Sequence, residues 1–304
     1  ALAAAGDAII QAAKAAGMEV IGPIWYGGEA SRENMDMLRP QIEQADMIFA
    51  VGGGKAIDTC KVLAQETHRP FFTFPTIAST CASCTSLGIV YHPDGSLREY
   101  SFSKIPPNHI FINTQVIADA PDIYLWAGMG DTMAKHYECT ISSRGHVPAH
   151  SDAMGIALSS MCAVPILRWG RQALADCRAH TVTRELTEVI LGIIISTGLV
   201  SNFVQVDYTT GLAHAVYNGF TVLPSTEANH HLHAGGSGGG HRQGPGRYRR
   251  AGVPLHRHGG DDRKGHHGPG GIPQGPQRTV KKKASPEQLL RGCFFHITAL
   301  PART

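Results

Sequence analysis

MIFAVGGGKAID, residues 47–58, carries an apolar run into a glycine triplet. Its first five residues are continuously apolar, as in a parallel strand buried on both faces. Three glycines follow, and a helical pattern runs from Lys55 to Glu66. A strand that ends in glycines and feeds a helix offers free backbone N–H groups and a positive dipole end to a diphosphate. Gly53, Gly54 and Lys55 are the candidate contacts, with Asp58 one turn into the helix. The pattern is neither the usual dinucleotide fingerprint nor a P-loop. A bare glycine triplet is most often a turn, so the strand–turn–helix context carries the reading.

Working outward, the same alternation recurs. Ala8–Ala16 reads as a helix stopped by Gly17, and Val20–Tyr26 as a strand. Ser31–Ala45 reads as a helix capped by Ser31. Phe71–Phe74 is the next strand. Leu87–Tyr91 and Leu97–Phe102 flank an Asp-Gly turn, a hairpin signal, and His109–Ile112 closes this half. Strand–helix alternation predicts an α/β sheet with helices on both faces. From about 114 the strand signal fades. Helical patterns cover Gly130–Ser143, Ser151–Ala175 and Thr183–Leu199, predicting a second, all-helical domain over 114–233. A cleft between such domains is where a cofactor and a substrate would meet.

Composition sets the outer limits. The 304 residues suit roughly two domains. No apolar run approaches the ~20 residues of a membrane span; the longest is Val189–Leu199. Ala1–Gly6 has no basic region before an apolar one and is not read as a secretory signal. Seven dispersed cysteines, an odd number, argue for a reducing compartment, the cytoplasm by default. The net charge of +3 conceals two opposite parts: 234–304 carry 13 Lys and Arg against 3 Asp and Glu, and the rest 14 against 21. From Ala234 the chain is rich in Gly, His, Arg and Pro, with almost no aliphatic residues. Such a segment lacks the apolar surface to offset its chain entropy. Its abrupt onset reads as a shifted reading frame in a GC-rich gene. Only Pro286–Leu300 recovers helix-like character. A basic tail can bind nucleic acid through phosphates, but Tyr248 is its only stacking residue before Phe294, so a nucleic-acid partner is not expected.

Chemistry-bearing residues cluster in a few places. Thr76 and Ser79, in the stretch Thr76–Thr80, place hydroxyls after a strand's carboxyl end, where ligands bind in open α/β sheets; an ordinary polar loop has the same composition. Cys81-Ala82-Ser83-Cys84 matches C-x-x-C, but no second pair accompanies it, and reduced, non-ligating thiols are the expectation. Asp131 follows Gly128-Met129-Gly130, where it would equally serve as a helix N-cap. His214 sits in Gly211-Leu212-Ala213-His214, where a buried, hydrogen-bonded histidine is the plainer reading. Together with His233, in the cluster His230-His231-Leu232-His233, these supply a carboxylate and imidazoles that suit Zn²⁺ or Fe²⁺.

VGGGKAIDTCK (51–61), FPTIAST (74–80), FINTQVIADAP (111–121), AGMGDTMAKHYE (127–138) and TGLAHAVYNGFTVLP (210–224), in this order, resemble the iron-containing alcohol dehydrogenase superfamily. The nearest branch is similar to the glycerol dehydrogenase and hydroxycarboxylate dehydrogenase group, and the likeness covers roughly 1–233. It implies a Rossmann-like NAD- or NADP-binding domain over 1–113, without its first strand, and a helical metal-binding domain over 114–233. It implies hydride transfer between NAD(P) and a small alcohol, polyol or 2-hydroxy acid, in a homo-oligomer without a membrane partner. Gly54 and Lys55 would contact the diphosphate, with Thr76, Ser79, Thr85, Leu87 and Tyr91 lining the cofactor site. Asp131, His214 and His233 would ligate the metal, His231 being a second candidate for the last place. Cys81 stands where glycerol-oxidising members have a substrate-binding Asp, which leans toward the hydroxycarboxylate-like branch. A dehydroquinate-synthase-like lyase shares this architecture, but the residues around 76–91 are neutral, which disfavours a charged substrate pocket.

Overall fold

The computed structural model describes residues 2–220 and 294–299. The His230–His233 cluster and the segment 234–284 lie outside these residues. Helix α1 (Leu2–Ala15) leads to β1 (Glu19–Trp25), α2 (Arg32–Ile42), β2 (Met47–Gly52), α3 (Gly54–Thr67) and β3 (Phe71–Pro75). The Ser31 hydroxyl caps α2 by accepting from the Asn34 N–H at 3.3 Å. β4 (Leu87–Tyr91) and β5 (Leu97–Phe102) form the expected hairpin. Its turn uses Gly95 at φ 84°, a conformation that glycine adopts without strain. The short β6 (His109–Ile110) ends this half.

The main sheet has the order β1-β7-β2-β3-β6, where β7 is Phe294–Ala299. β2, β3 and β6 run parallel, while β7 is antiparallel to both of its neighbours. The helix-like reading of 286–300 is therefore wrong at its C-terminal end, and the sheet is mixed. Two Phe, an Ile and a Thr in six residues favour extended backbone. Between β1 and β2 this segment's backbone finds partners on both sides.

Among the described residues, eight α-helices follow: α4 (Thr114–Ala118), α5 (Asp122–Ser142), α6 (His150–Leu158), α7 (Ser160–Arg178), α8 (Arg184–Leu191), α9 (Thr197–Phe203), α10 (Val206–Thr209) and α11 (Leu212–Phe220). Three boundaries differ from expectation. α5 begins at Asp122, not Gly130, so Asp131 lies inside a helix and is not its N-cap. The glycines at 128 and 130 do not end the helix, because Gly128 serves a packing contact there. The 151–175 pattern is two helices that part at Ser159, and the 183–199 pattern contains one π-helical turn, Gly192–Ser196.

Two cores organise these elements. Met35, Leu38 and Ile42 of α2 pack with Ile48 of β2, Ile57 and Leu63 of α3, Phe71 and Val90. Leu125 and Met129 of α5 pack with Ile166 and Ala173 of α7, Leu186, Val189 and Ile190 of α8, and Ile193 in the π turn. Residues 150–178 and 184–203 have the length and mean hydropathy of membrane spans, contrary to the expectation that none comes close. Ile166, Ala173 and Cys177 of the first and Leu186, Val189, Ile190, Ile193 and Ile194 of the second are buried in this second core.

The loop after β3 ties the halves together. Ala78 and Cys84 belong to the helical core. A Cβ on Gly128 would lie 2.1 Å from the Ala78 carbonyl oxygen, and one on Gly198 would lie 2.4 Å from Cys84 Cβ. Only glycines let α5 and α9 press so closely on this loop. Asn202 of α9 clamps it, donating to the Cys84 carbonyl at 3.0 Å and accepting from the Ser86 N–H at 2.9 Å.

Candidate functional site

The loop and hairpin on one side and α5, α10 and α11 on the other enclose a cleft. Asp58, Ser79, Cys81, Thr85, Leu87 and Tyr91 line its first wall; Asp131, Lys135, Thr209 and His214 line the second. Four of the residues expected at the cofactor do not line this cleft. Gly53, Gly54 and Lys55 form the β2–α3 turn, and Thr76 follows β3 beside it, its N–H donating to the Gly52 carbonyl at 3.0 Å. The turn is tight: a Cβ on Gly53 would meet Ile77 Cδ1 at 2.7 Å.

The charge of Lys55 is already engaged. Its Nζ lies 2.5 Å from Glu29 Oε2, an acid that sequence reading passed over. Glu29 is held in turn. Its other oxygen accepts from the Ala30 N–H at 2.9 Å, and its carbonyl accepts from Asn34 Nδ2 at 2.8 Å. Gly27 and Gly28 before it adopt φ of 93° and 95°, which makes this close turn possible.

Asp58 is buried beside Lys61, a residue of the same helix three positions on. Lys61 Nζ donates to Asp58 Oδ1 at 3.0 Å, Thr85 Oγ at 3.2 Å and the Leu87 carbonyl at 2.6 Å. All three ammonium protons thus find acceptors, which a buried cation requires. The cluster pins α3 to the start of the hairpin. Burial raises the Asp58 carboxyl above its ordinary value, with Lys61 opposing the shift.

On the second wall, Asp131, Lys135 and Glu138 occupy positions i, i+4 and i+7 of α5 and share one face. Lys135 Nζ donates to the Thr209 carbonyl at 2.9 Å. His214 Nδ1 lies 2.7 Å from Glu138 Oε2, and His214 Nε2 lies 3.6 Å from Asp131 Oδ1. Burial works against the Glu138 charge, but the hydrogen bond and charge of His214 hold its carboxyl below the usual range.

The Asp131–His214 pair sets a carboxylate oxygen opposite an imidazole nitrogen. At 3.6 Å it is too long for a hydrogen bond. An oxygen and a nitrogen donor this close together are of the kind a divalent metal takes. Among the described residues no third His, Cys, Asp or Glu completes a metal-binding group. His233, the expected third ligand, and His231 lie outside the described residues.

Cys81 faces the pair across the cleft. Burial first, and then the nearby Asp131 charge, push its thiol up to about 12. It is a neutral thiol at physiological pH. Its C-x-x-C partner Cys84 is also a free thiol, raised by burial, and the two are joined by a turn in which the Cys84 N–H donates to the Cys81 carbonyl at 2.9 Å.

Glu138, Lys61 and Lys135 were not recognised as site residues from sequence. Their signal was present: Glu138 ends the quoted AGMGDTMAKHYE motif at heptad spacing from Asp131, and Lys61 ends VGGGKAIDTCK.

Comparison with known proteins agrees with this architecture. Residues 2–121 match the family model for iron-containing alcohol dehydrogenase. The glycerol dehydrogenase of Thermotoga maritima is 32% identical over 209 residues, 66% of this chain and 56% of the relative. Hydroxycarboxylate dehydrogenase A of Escherichia coli is 32% identical over 206 residues, 67% of this chain and 57% of the relative. The crystal structure of a probable glycerol dehydrogenase from Sinorhizobium meliloti superposes with a TM-score of 0.63 at 27% identity, over 69% of this chain and 60% of that one. The chain thus spans little more than half the length of the curated relatives it matches. In motif order, sequence and fold the chain is similar to the iron-containing alcohol dehydrogenases.

Proposed function

We propose that this chain carries the cofactor wall and two metal ligands of an NAD(P)-dependent, metal-dependent dehydrogenase. It would move a hydride between the nicotinamide and a small alcohol, polyol or 2-hydroxy acid. The observation that carries this reading is the Asp131–His214 pair, 3.6 Å apart, facing Asp58, Thr85 and Leu87 across one cleft. Residues 1–113 act as the dinucleotide-binding unit and 114–233 as the metal and substrate unit. NAD and NADP, and Zn²⁺ and Fe²⁺, satisfy it equally.

Asp131 and His214 hold the ion, with His233 or His231 as third ligand. A divalent ion so held supplies Lewis acidity to the substrate hydroxyl. The residues of the chain do the rest. Gly53 and Gly54 bring backbone N–H groups to the cofactor diphosphate at the start of α3. Lys55, paired with Glu29 in this structure, would turn to a phosphate oxygen of the cofactor. Thr76, Ser79, Thr85, Leu87 and Tyr91 border the dinucleotide, and Asp58 acts through its pair with Lys61. Cys81, a neutral thiol on the substrate side, imposes no negative charge there. A substrate carboxylate is therefore not repelled, which favours 2-hydroxy acids over glycerol.

The relatives are dehydrogenases, and the neutral loop 76–86 offers no cradle for a charged lyase substrate, so the lyase reading is set aside. The six described thiols are free, which fits a reducing cytoplasm, and a homo-oligomer is part of the proposal. A screen of NAD⁺ and NADP⁺ reduction over diols and 2-hydroxy acids, on Zn²⁺- or Fe²⁺-loaded protein, tests it. Turnover is expected with at least one substrate and is expected to vanish in Asp131→Ala and His214→Ala. Undiminished turnover in both variants would refute the metal role.

A further inference from the structure

We propose that Glu138 is the positioning residue of this site: one carboxylate grips His214 by its ring and its backbone together, so that Nε2 is presented to the metal. The inference rests on the metal reading above and adds to it the group that sets the ligand's tautomer and direction.

The geometry is specific. Glu138 Oε2 takes the ring Nδ1 at 2.7 Å, and Oε1 accepts the His214 backbone N–H at 3.2 Å. An ionised carboxylate only accepts, so Nδ1 carries the proton and the Nε2 lone pair is left for a ligand bond. His214 is the third residue of α11, and the first backbone bond inside that helix is from the Ala215 N–H to the Gly211 carbonyl. The His214 N–H is therefore one of the N-terminal donors with no partner within its helix. Glu138, 76 residues earlier in the chain, supplies that partner. Its negative charge also suits the positive end of α11.

The surroundings are shaped for this grip. A Cβ on Gly211 would stand 2.9 Å from Glu138 Cγ, so the residue that opens α11 has no side chain to hold the carboxylate away. Lys135, one turn earlier on the same face of α5, fastens the preceding segment through the Thr209 carbonyl. Asp131 and Glu138 thus sit on one rigid stripe: one supplies a ligand, the other aims its partner.

The test measures Zn²⁺ affinity, by competition with a chromophoric chelator, for full-length wild type, Glu138→Ala and Glu138→Gln. Metal-free thermal melts and the His214 ring tautomer from ¹⁵N–¹H correlation spectra accompany it. Glu138→Ala is expected to weaken Zn²⁺ binding by about 10- to 100-fold, as loss of an outer partner of a ligating histidine does. Its free ring is expected to lose its Nδ1–H preference. Glu138→Gln, which keeps one acceptor oxygen where the carboxylate has two, is expected to recover part of both. An unchanged tautomer, or equal Zn²⁺ affinity in Glu138→Ala and wild type, overturns the proposal. So does a Glu138→Gln variant as weak as Glu138→Ala with an equally lowered metal-free melt, which would make the role purely structural. If wild type itself fails to bind Zn²⁺ or Fe²⁺ while the tautomer shift is seen, the positioning stands and the metal reading falls.

Discussion

Gly128→Ala is the sharpest perturbation the fold offers. The new methyl would stand 2.1 Å from the Ala78 carbonyl oxygen, 3.0 Å from its carbon and 3.1 Å from Ile193 Cγ2. A carbon–oxygen contact needs about 3.3 Å, so α5 and the loop must separate by roughly 1 Å. The clash is with backbone, so no rotamer change relieves it. Overpacking of this kind costs about 1–3 kcal/mol. Replacing glycine by alanine inside a helix returns about 1 kcal/mol, leaving a net loss of up to about 2 kcal/mol. The effect on turnover should be larger. Asp131 lies three residues on, and a shift of about 1 Å at a reacting geometry can lower rate by about 100-fold. Urea unfolding and steady-state turnover measure the two effects. Gly192→Ala is the control, since its nearest neighbours are 3.7 Å away and its φ is −58°; it should be neutral or slightly stabilising. A Gly128→Ala protein as stable as wild type, with full activity, would refute the close approach of α5 to the loop.

Lys61→Met should destabilise the protein by about 3–5 kcal/mol, because it strands the buried Asp58; adding Asp58→Asn should recover part of that loss in urea denaturation. With its pKa pushed to about 12, Cys81 should carry about a thousandth of an ordinary thiol's anion at pH 8, and mapping iodoacetamide adducts by mass spectrometry should find it nearly unmodified under native conditions. Burial opposes the Glu66 charge, but Arg39 and Arg32, each at 2.6 Å, hold its carboxyl below the ordinary 4.5. A depressed folded pKa means that this stabilisation is complete above the unfolded value and fades as pH falls through the folded one. Glu66→Gln should therefore cost less than about 1 kcal/mol at pH 7, since the pairs are partly solvated. Its melting temperature should approach that of wild type as pH falls below 4.5 and through the lowered folded value.

Most elements of the first half were legible from local pattern. The Met47–Val51 apolar run, the Asp-Gly turn and the Ser31 cap each have a short-range physical cause, and each element lies where it was expected. Helix boundaries were less legible. Gly128 and Gly130 read as a helix start, because glycine is unfavourable inside helices. Within the fold the missing Cβ is what allows α5 to touch Ala78. Phe294–Ala299 read as the end of a helical pattern, yet two neighbouring strands decide its conformation. Asp131 and His214 were named from type and motif, but Glu138 was passed over because its role exists only toward a residue 76 positions away.

Local pattern carries the alternation of strands and helices, the glycine turn ahead of α3, the family resemblance, and the residue types able to hold a metal. These follow from local backbone preference, side-chain periodicity and chemical identity. Tertiary structure alone decided which of those residues meet. It placed Asp131 and His214 3.6 Å apart, turned Nε2 toward the carboxylate through Glu138, paired Lys55 with Glu29, and set Cys81 in the cleft wall. Contacts across 26 to 83 residues depend on how helices pack against a loop, and packing is set by shape in three dimensions, which no short window of sequence contains.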